Sequence, residues 1–220
     1  MILAFETATN VCSVVFCNDR NQLFEKRTER RGSHSEQLFL FIEELQQEHG
    51  FAIPELDAVL VSEGPGSYTG LRISASAAKG LLFQTEVPLY GVNTLASFAG
   101  SAVSHHPEAQ TIHSIIDARR VHIYHQQFTI DADGALSSND TVEVIPIEAF
   151  ETMVHSGDTI IGTGLERIDE AVLDKTATFG KESITAASLI KLYKSLPSAF
   201  VEEVNPEFFD PNYYSSNQVS

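Results

Sequence analysis

The residues of this chain that could do chemistry gather in two turns. The denser is Gly64-Pro65-Gly66-Ser67-Tyr68-Thr69-Gly70-Leu71-Arg72, a glycine-rich turn between an apolar run and a helical pattern. Backbone N–H groups left free at such a turn form a ready anion site. The dinucleotide fingerprint G-x-G-x-x-G fits Gly64 and Gly66 but needs glycine where Thr69 stands. The P-loop needs Lys and then Ser or Thr after its last glycine, where this chain has Leu71 and Arg72. A nucleophile elbow, G-x-S-x-G, fails because Gly66 directly precedes Ser67. The plain alternative is a structural turn that lets the next helix dock closely. The second turn is Glu6-Thr7-Ala8-Thr9-Asn10. An acid at a strand end beside the hydroxyls of Thr7 and Thr9 could hold a Mg²⁺-bound water or a phosphate, which makes it a candidate vestigial phosphate turn. Ala8 places a methyl where glycine would allow close backbone approach, which favours an ordinary hairpin.

The remaining reactive residues form no constellation. Among eight histidines the helical pair H-x-x-x-H is absent, and His122 and His125 fall on opposite faces of one expected strand. Cys12 and Cys17 share another strand at odd spacing, so they face apart and cannot bridge; two reduced thiols are expected. Asp117 in Asp117-Ala118-Arg119-Arg120 reads as a salt-bridged strand end rather than a catalytic base. Lys26, Arg27, Arg30 and Arg31 are either a solvated strand end or a small basic patch for an acidic partner or RNA. No catalytic residue and no metal site is expected.

The elements that must position these residues are legible in the pattern. Residues 2–5, 11–17 and 23–28 read as a three-strand meander joined by tight turns. Ser33-His34-Ser35-Glu36 fits a capping box, and Leu38, Phe41, Ile42 and Leu45 follow at helical spacing until Gly50. A buried strand is expected near 57–62, a second helix over 69–84, a strand over 89–92 and a third helix to about 104. Strand, glycine turn, helix, strand implies a right-handed crossover and parallel pairing. The second helix carries Ser74, Ala75, Ser76, Ala77, Ala78 and Gly80 beside Leu71, Ile73 and Leu82. Small residues allow close helix approach, and the pattern leaves open whether this face packs internally or on another subunit.

In the second half, strands are expected at 112–116, 121–130, 142–145 and 158–161, with a turn at 131–134 and helices at 147–155 and 186–196. Gly162-Thr163-Gly164 follows the last of those strands, and residues 205–214 read as an extended tail. The composition shifts near 104–111, suggesting lobes over 1–104 and 105–220. No internal repeat is visible.

The chain has 220 residues with 14 Lys+Arg against 30 Asp+Glu, a formal net charge of −16. The acid is spread along it, 13 residues in 1–110 and 17 in 111–220. Such a surface repels a phosphate backbone and an anionic membrane, excluding a stand-alone nucleic-acid or membrane binder. The start reads as no signal peptide and no run is long enough to span a membrane, so a cytoplasmic location is expected.

Four blocks resemble the bacterial TsaB (YeaZ) family in order and spacing: residues 2–9, His34-Ser35-Glu36-Gln37-Leu38, residues 64–73, and Asp117-Ala118-Arg119 with Tyr124. The resemblance covers residues 1–125. It implies an α/β, actin/hexokinase-like (ASKHA, RNase H-like) two-lobed fold with mixed sheets flanked by helices. It implies a non-catalytic role in making threonylcarbamoyladenosine in tRNA, scaffolding the larger catalytic paralogue TsaD together with the ATPase TsaE. Any tRNA contact would then run through the complex. No cofactor is implied for the isolated chain, with room for ATP or ADP at the level of the complex. The family's dimer helices match 33–47 and 69–84 here. The resemblance therefore assigns His34, Leu38, Phe41, Ile42, Leu45, Leu71, Ile73, Ala75, Ala78 and Leu82 to a partner face or a homodimer. Gly64, Pro65, Gly66, Ser67, Thr69, Gly70 and Arg72 become a structural glycine loop. Glu6 stands where the family usually has Asp, and Asp210 stands where the family's tail has Arg. The alternative is an ATP-dependent small-molecule kinase of the same superfold, motivated by residues 6–10 and 162–164.

Overall fold

The computed structural model describes residues 1–30, 32–131, 134–138, 140–195 and 199–214. It divides into two compact units, Met1–Thr94 with Thr185–Asn212, and Leu95–Ile184 with Tyr213–Ser220. Residues 185–212, which composition alone places in a C-terminal lobe, thus pack with the N-terminal one.

The first unit is built on a six-stranded mixed sheet in the order β12-β5-β4-β1-β2-β3. The meander is β1 (Ile2–Glu6), β2 (Cys12–Cys17) and β3 (Leu23–Thr28), antiparallel throughout. Helix α1 (His34–His49) leads to β4 (Ala58–Gly64), which pairs parallel with β1. Helix α2 (Tyr68–Leu82) and β5 (Leu89–Asn93) complete the crossover, with β5 parallel to β4. β1 and β2 are buried at every position, as strands covered on both faces must be. The two thiols behave as their odd spacing requires. Cys12 enters the core beneath α1, while Cys17 on the other face accepts from Lys194 Nζ at 3.1 Å.

One local expectation changes. The capping box is not formed: Ser33 Oγ donates to the Arg30 carbonyl at 2.7 Å, and the Ser33 carbonyl accepts from the first-turn N–H groups instead. Helix α2 does have a side-chain cap, Ser67 Oγ accepting from the Gly70 N–H at 3.2 Å.

The second unit carries the sheet β11-β10-β6-β7-β8. After α3 (Thr94–His105) come β6 (Thr111–Asp117), β7 (His122–Ile130), β8 (Leu136–Ser137) and β9 (Glu143–Pro146). Then follow α4 (Ile147–Met153), β10 (Thr159–Gly162), α5 (Glu170–Leu173) and β11 (Ala177–Phe179). The chain returns to the first unit as α6 (Ala187–Lys194) and β12 (Val201–Val204), which closes the sheet edge beside β5. β12 carries no strand signal in the sequence, because Val-Glu-Glu-Val is a short edge strand without apolar alternation. Ala132 and Asp133 of the expected turn, and Leu196 at the end of the last helix, lie outside the described residues.

Both sheets share one topology. An antiparallel meander, β1-β2-β3 or β6-β7-β8, is extended by two parallel strands beside its first, β4-β5 or β10-β11. This duplication of backbone order leaves no trace as a sequence repeat, because each copy is selected only for burial pattern. The fold is the actin/hexokinase-like, RNase H-like α/β fold. Among the described residues no helix is long and apolar enough to cross a membrane.

Candidate functional site

The two candidate turns of the first unit pack against each other. The Ala8 carbonyl accepts from the Ser67 N–H at 2.6 Å, and Thr7 Oγ1 donates to the Gly70 carbonyl at 2.9 Å. Two glycines make that approach possible. A Cβ on Gly66 would lie 2.5 Å from the Ala8 oxygen, and one on Gly70 would lie 2.0 Å from the Thr7 oxygen. Gly64, at φ +121°, donates its N–H to Thr94 Oγ1 and lies against the Asn212 backbone of the extended tail, whose Phe209 is anchored in the core. Pro65 sits in the same buried turn. The N–H groups of Gly64, Ser67 and Gly70 are therefore satisfied by protein oxygens rather than held open.

Glu6, at the end of β1, is fully buried. Its carboxyl accepts from the Ala8 N–H at 2.6 Å and from the Ser62 hydroxyl. Burial pushes it from 4.5 up to about 7, against the opposing pull of those hydrogen bonds. Burial, with the Glu6 charge second, pushes the Cys12 thiol up to about 12. Thr9 Oγ1 accepts from the Val11 N–H at 3.1 Å. His34, assigned to a partner face, points inward: its Nε2 lies 2.9 Å from the Thr9 carbonyl and 3.2 Å from that of Val11. With two carbonyls as partners, that nitrogen must carry the proton.

The second unit repeats the closure. Thr163 Oγ1 accepts from the Asp117 N–H at 3.2 Å, and a Cβ on Gly162 would lie 1.8 Å from the Ile115 oxygen. Asp117 is ion-paired as expected, but with Arg167 rather than its neighbours in sequence.

Helices α1 and α2 form the open feature. Leu38, Phe41, Ile42, Leu45, Leu71, Ala75, Ala78 and Leu82 are buried against their own sheet, and Ile73 is partly buried. In this chain these residues are core, not surface. The apolar stripe at i, i+3, i+4, i+7 reports burial without naming what covers it. The open groove beside these helices draws mostly on other residues. Exposed Ser35, Phe39, Tyr68, Thr69, Arg72 and Ser76 line a groove of about 500 Å³, and half-buried Ile73, the one residue of the assigned face to reach it, and buried Ala77 complete the lining. Phe39 is 48% exposed and Tyr68 56%, with the Arg72 guanidinium 4.4 Å above the Tyr68 ring. None of these lining residues is acidic, and α2 has no Asp or Glu in a chain of net charge −16. The acids of α1 (Glu36, Glu43, Glu44, Glu48) lie outside the groove lining.

Two residues of the basic segment are paired locally. Lys26 pairs with Glu44 at 3.4 Å and with Glu48 at 2.5 Å, and Arg27 pairs with Glu29 at 3.0 Å. Arg31 lies outside the described residues.

The family model described as TsaD, tRNA N6-adenosine threonylcarbamoyltransferase, matches residues 28–146. The Escherichia coli protein named tRNA threonylcarbamoyladenosine biosynthesis protein TsaB is 30% identical over 168 residues, spanning 74% of this chain and 71% of that one. This chain belongs to the TsaB family. The YeaZ structure from Pseudomonas aeruginosa aligns with a TM-score of 0.77 at 24% identity, covering 97% of this chain and 99% of that one, and it shares the fold. A further similarity is to a tRNA N6-adenosine threonylcarbamoyltransferase from Anoxybacillus flavithermus. It is 43% identical over 63 residues, which is 29% of this chain and 18% of that one.

Proposed function

We propose that this TsaB-family chain is a non-catalytic subunit in the formation of threonylcarbamoyladenosine in tRNA, in the cytoplasm. In this reading it docks a TsaD-type transferase through the α1/α2 groove, with the ATPase TsaE joining the assembly. The groove is the observation that supports it. It is an apolar, acid-free concavity flanked by exposed Phe39 and Tyr68 on an otherwise acidic chain. A desolvated aromatic beside small residues is the composition of an interface centre. The transferase shares sequence with this chain, so its own helices are the natural complement; a second copy of this chain is the competing occupant.

The kinase alternative meets turns that are already filled, with the Glu6 carboxyl engaged by Ser62 and Ala8. In this reading tRNA binding falls to the partners, which the net charge of −16 supports, and ATP or ADP would bind only in the assembled complex.

The test is the double variant Phe39→Glu/Ser76→Arg, at two exposed positions lining the groove. Co-purification with the TsaD homologue should be lost while the thermal midpoint is kept. Undiminished association would overturn the assignment. Arginine at the buried Ala75 or Ala78 would be uninformative, because it would break the core.

A further inference from the structure

The second unit contains a buried polar chain that the tRNA-modification reading does not use. His113 on β6 and His125 on β7 meet with Nδ1 of the first 3.0 Å from Nε2 of the second. His113 Nε2 lies 3.2 Å from Asp158 Oδ2, just before β10, and the same oxygen accepts from the His155 N–H at 2.7 Å. Three adjacent strands, β10, β6 and β7, are thus cross-linked through their side chains. Phe150 of α4 covers both rings, edge-on to His113 and tilted against His125. His113 is fully buried and His125 is 2% exposed.

We propose that the His113–His125–Asp158 chain is a proton-operated latch, holding the sheet of the second unit together at neutral pH and releasing it in mildly acidic medium. The carboxylate fixes the tautomers. His113 donates from Nε2 to Asp158, so its Nδ1 must accept from the Nε2–H of His125. With the Nε2 proton of His125 in place, a proton added to His113 would set two N–H groups against each other at 3.0 Å. A proton added to His125 would place a cation beneath Phe150. Burial holds both rings below their ordinary value, His125 at about 3, while Asp158 partly opposes this for His113. The other titratable groups around them do not replace the lost bonds. His155 Nδ1 lies 3.8 Å from the same Asp158 oxygen, but that ring is largely exposed to solvent, and Glu143, register partner of His125 on β9, is exposed. On α4, Glu148 is exposed and Glu151 accepts from the Asp169 N–H.

The sign follows from linkage. Below about pH 6.5 the unfolded histidines bind protons that the folded ones refuse, so stability present at neutral pH is lost as pH falls. Opening grows by up to about tenfold per pH unit for each histidine. The first unit supplies an internal control, because Glu6 has its folded value raised and favours the folded form as pH falls.

Hydrogen exchange of the full chain at pH 7 and pH 5, corrected for intrinsic rates, tests this. Amides of 111–117 and 122–130 should lose about tenfold or more of their protection, while those of 2–6 and 58–64 keep theirs. In His125→Phe the difference should shrink. Equal protection at both pH values, or equal losses in both units, or an unchanged loss in His125→Phe, would overturn the latch. If that variant fails to fold, imidazole ¹⁵N spectra of the wild-type chain decide. Rings that stay neutral until the strands open support the latch. Rings that titrate at the ordinary histidine value while the strands stay protected overturn it.

Discussion

Two faces of helix α2 do opposite things. One face of its N-terminal turn is pressed onto the β1–β2 turn until a single added methyl group would collide with backbone. The other, which begins in the same turn at Tyr68 and Thr69 and runs on to Ser76, leaves an open groove of about 500 Å³ edged by exposed aromatic rings. Glycine spacing looks like ligand chemistry in the sequence, yet in the structure it serves close packing. The contrast teaches that a glycine loop announces a close approach of backbone to something, and here that something is the chain's own neighbouring turn.

The largest expected effect breaks the closed face. Gly70→Ala would place its Cβ 2.0 Å from the Thr7 carbonyl oxygen. It should cost about 3 kcal/mol or more in denaturant unfolding. The surviving folded fraction should bind the transferase as the parent does. Next comes the open face. Phe39→Glu alone should weaken transferase binding by about 2 kcal/mol, measured by calorimetry, and change stability by under about 0.5 kcal/mol. If Gly70→Ala lowered affinity and Phe39→Glu lowered only stability, the comparison would be reversed.

A pH experiment sharpens the closed face further. Glu6 has a folded value of about 7 against 4.5, so its neutral form is the stable one. The advantage is complete below about pH 4.5 and is lost as pH rises through 7. Glu6→Gln keeps an acceptor for Ala8 and removes the ionisation. It should therefore raise stability at pH 8 by up to about 3 kcal/mol and hardly alter it at pH 4. A gain that is equal at both pH values would contradict the burial argument. The smallest effect is expected at Lys26→Ala. This removes the surface ion pairs to Glu44 and Glu48 and should shift the thermal midpoint slightly, the shift fading in high salt.

Much of this was legible beforehand. The meander, α1 ending at Gly50 and the βαβ crossover followed from period and turn residues, because those patterns are local. The glycine loop was correctly placed between strand and helix. What stayed hidden depends on the third dimension. Leu38, Phe41, Ile42 and Leu45 are periodic because they meet their own sheet, so the residues of α1 that line the groove are the ones left over, Phe39 and Ser35. His34 was misassigned for the same reason. Its role lies in reaching back across 25 residues to the Thr9 carbonyl. The pairing of His113 with His125 and Asp158 comes from strand register, which no sequence spacing reveals.

The central claim is that the α1/α2 groove is the surface that meets the transferase. Hydrogen exchange of this chain with and without a TsaD-type transferase reads that surface directly. The account expects new protection in residues 35–39 and 68–77, with the second unit unchanged. Protection confined to residues 111–179, with both helices unaffected, would contradict it.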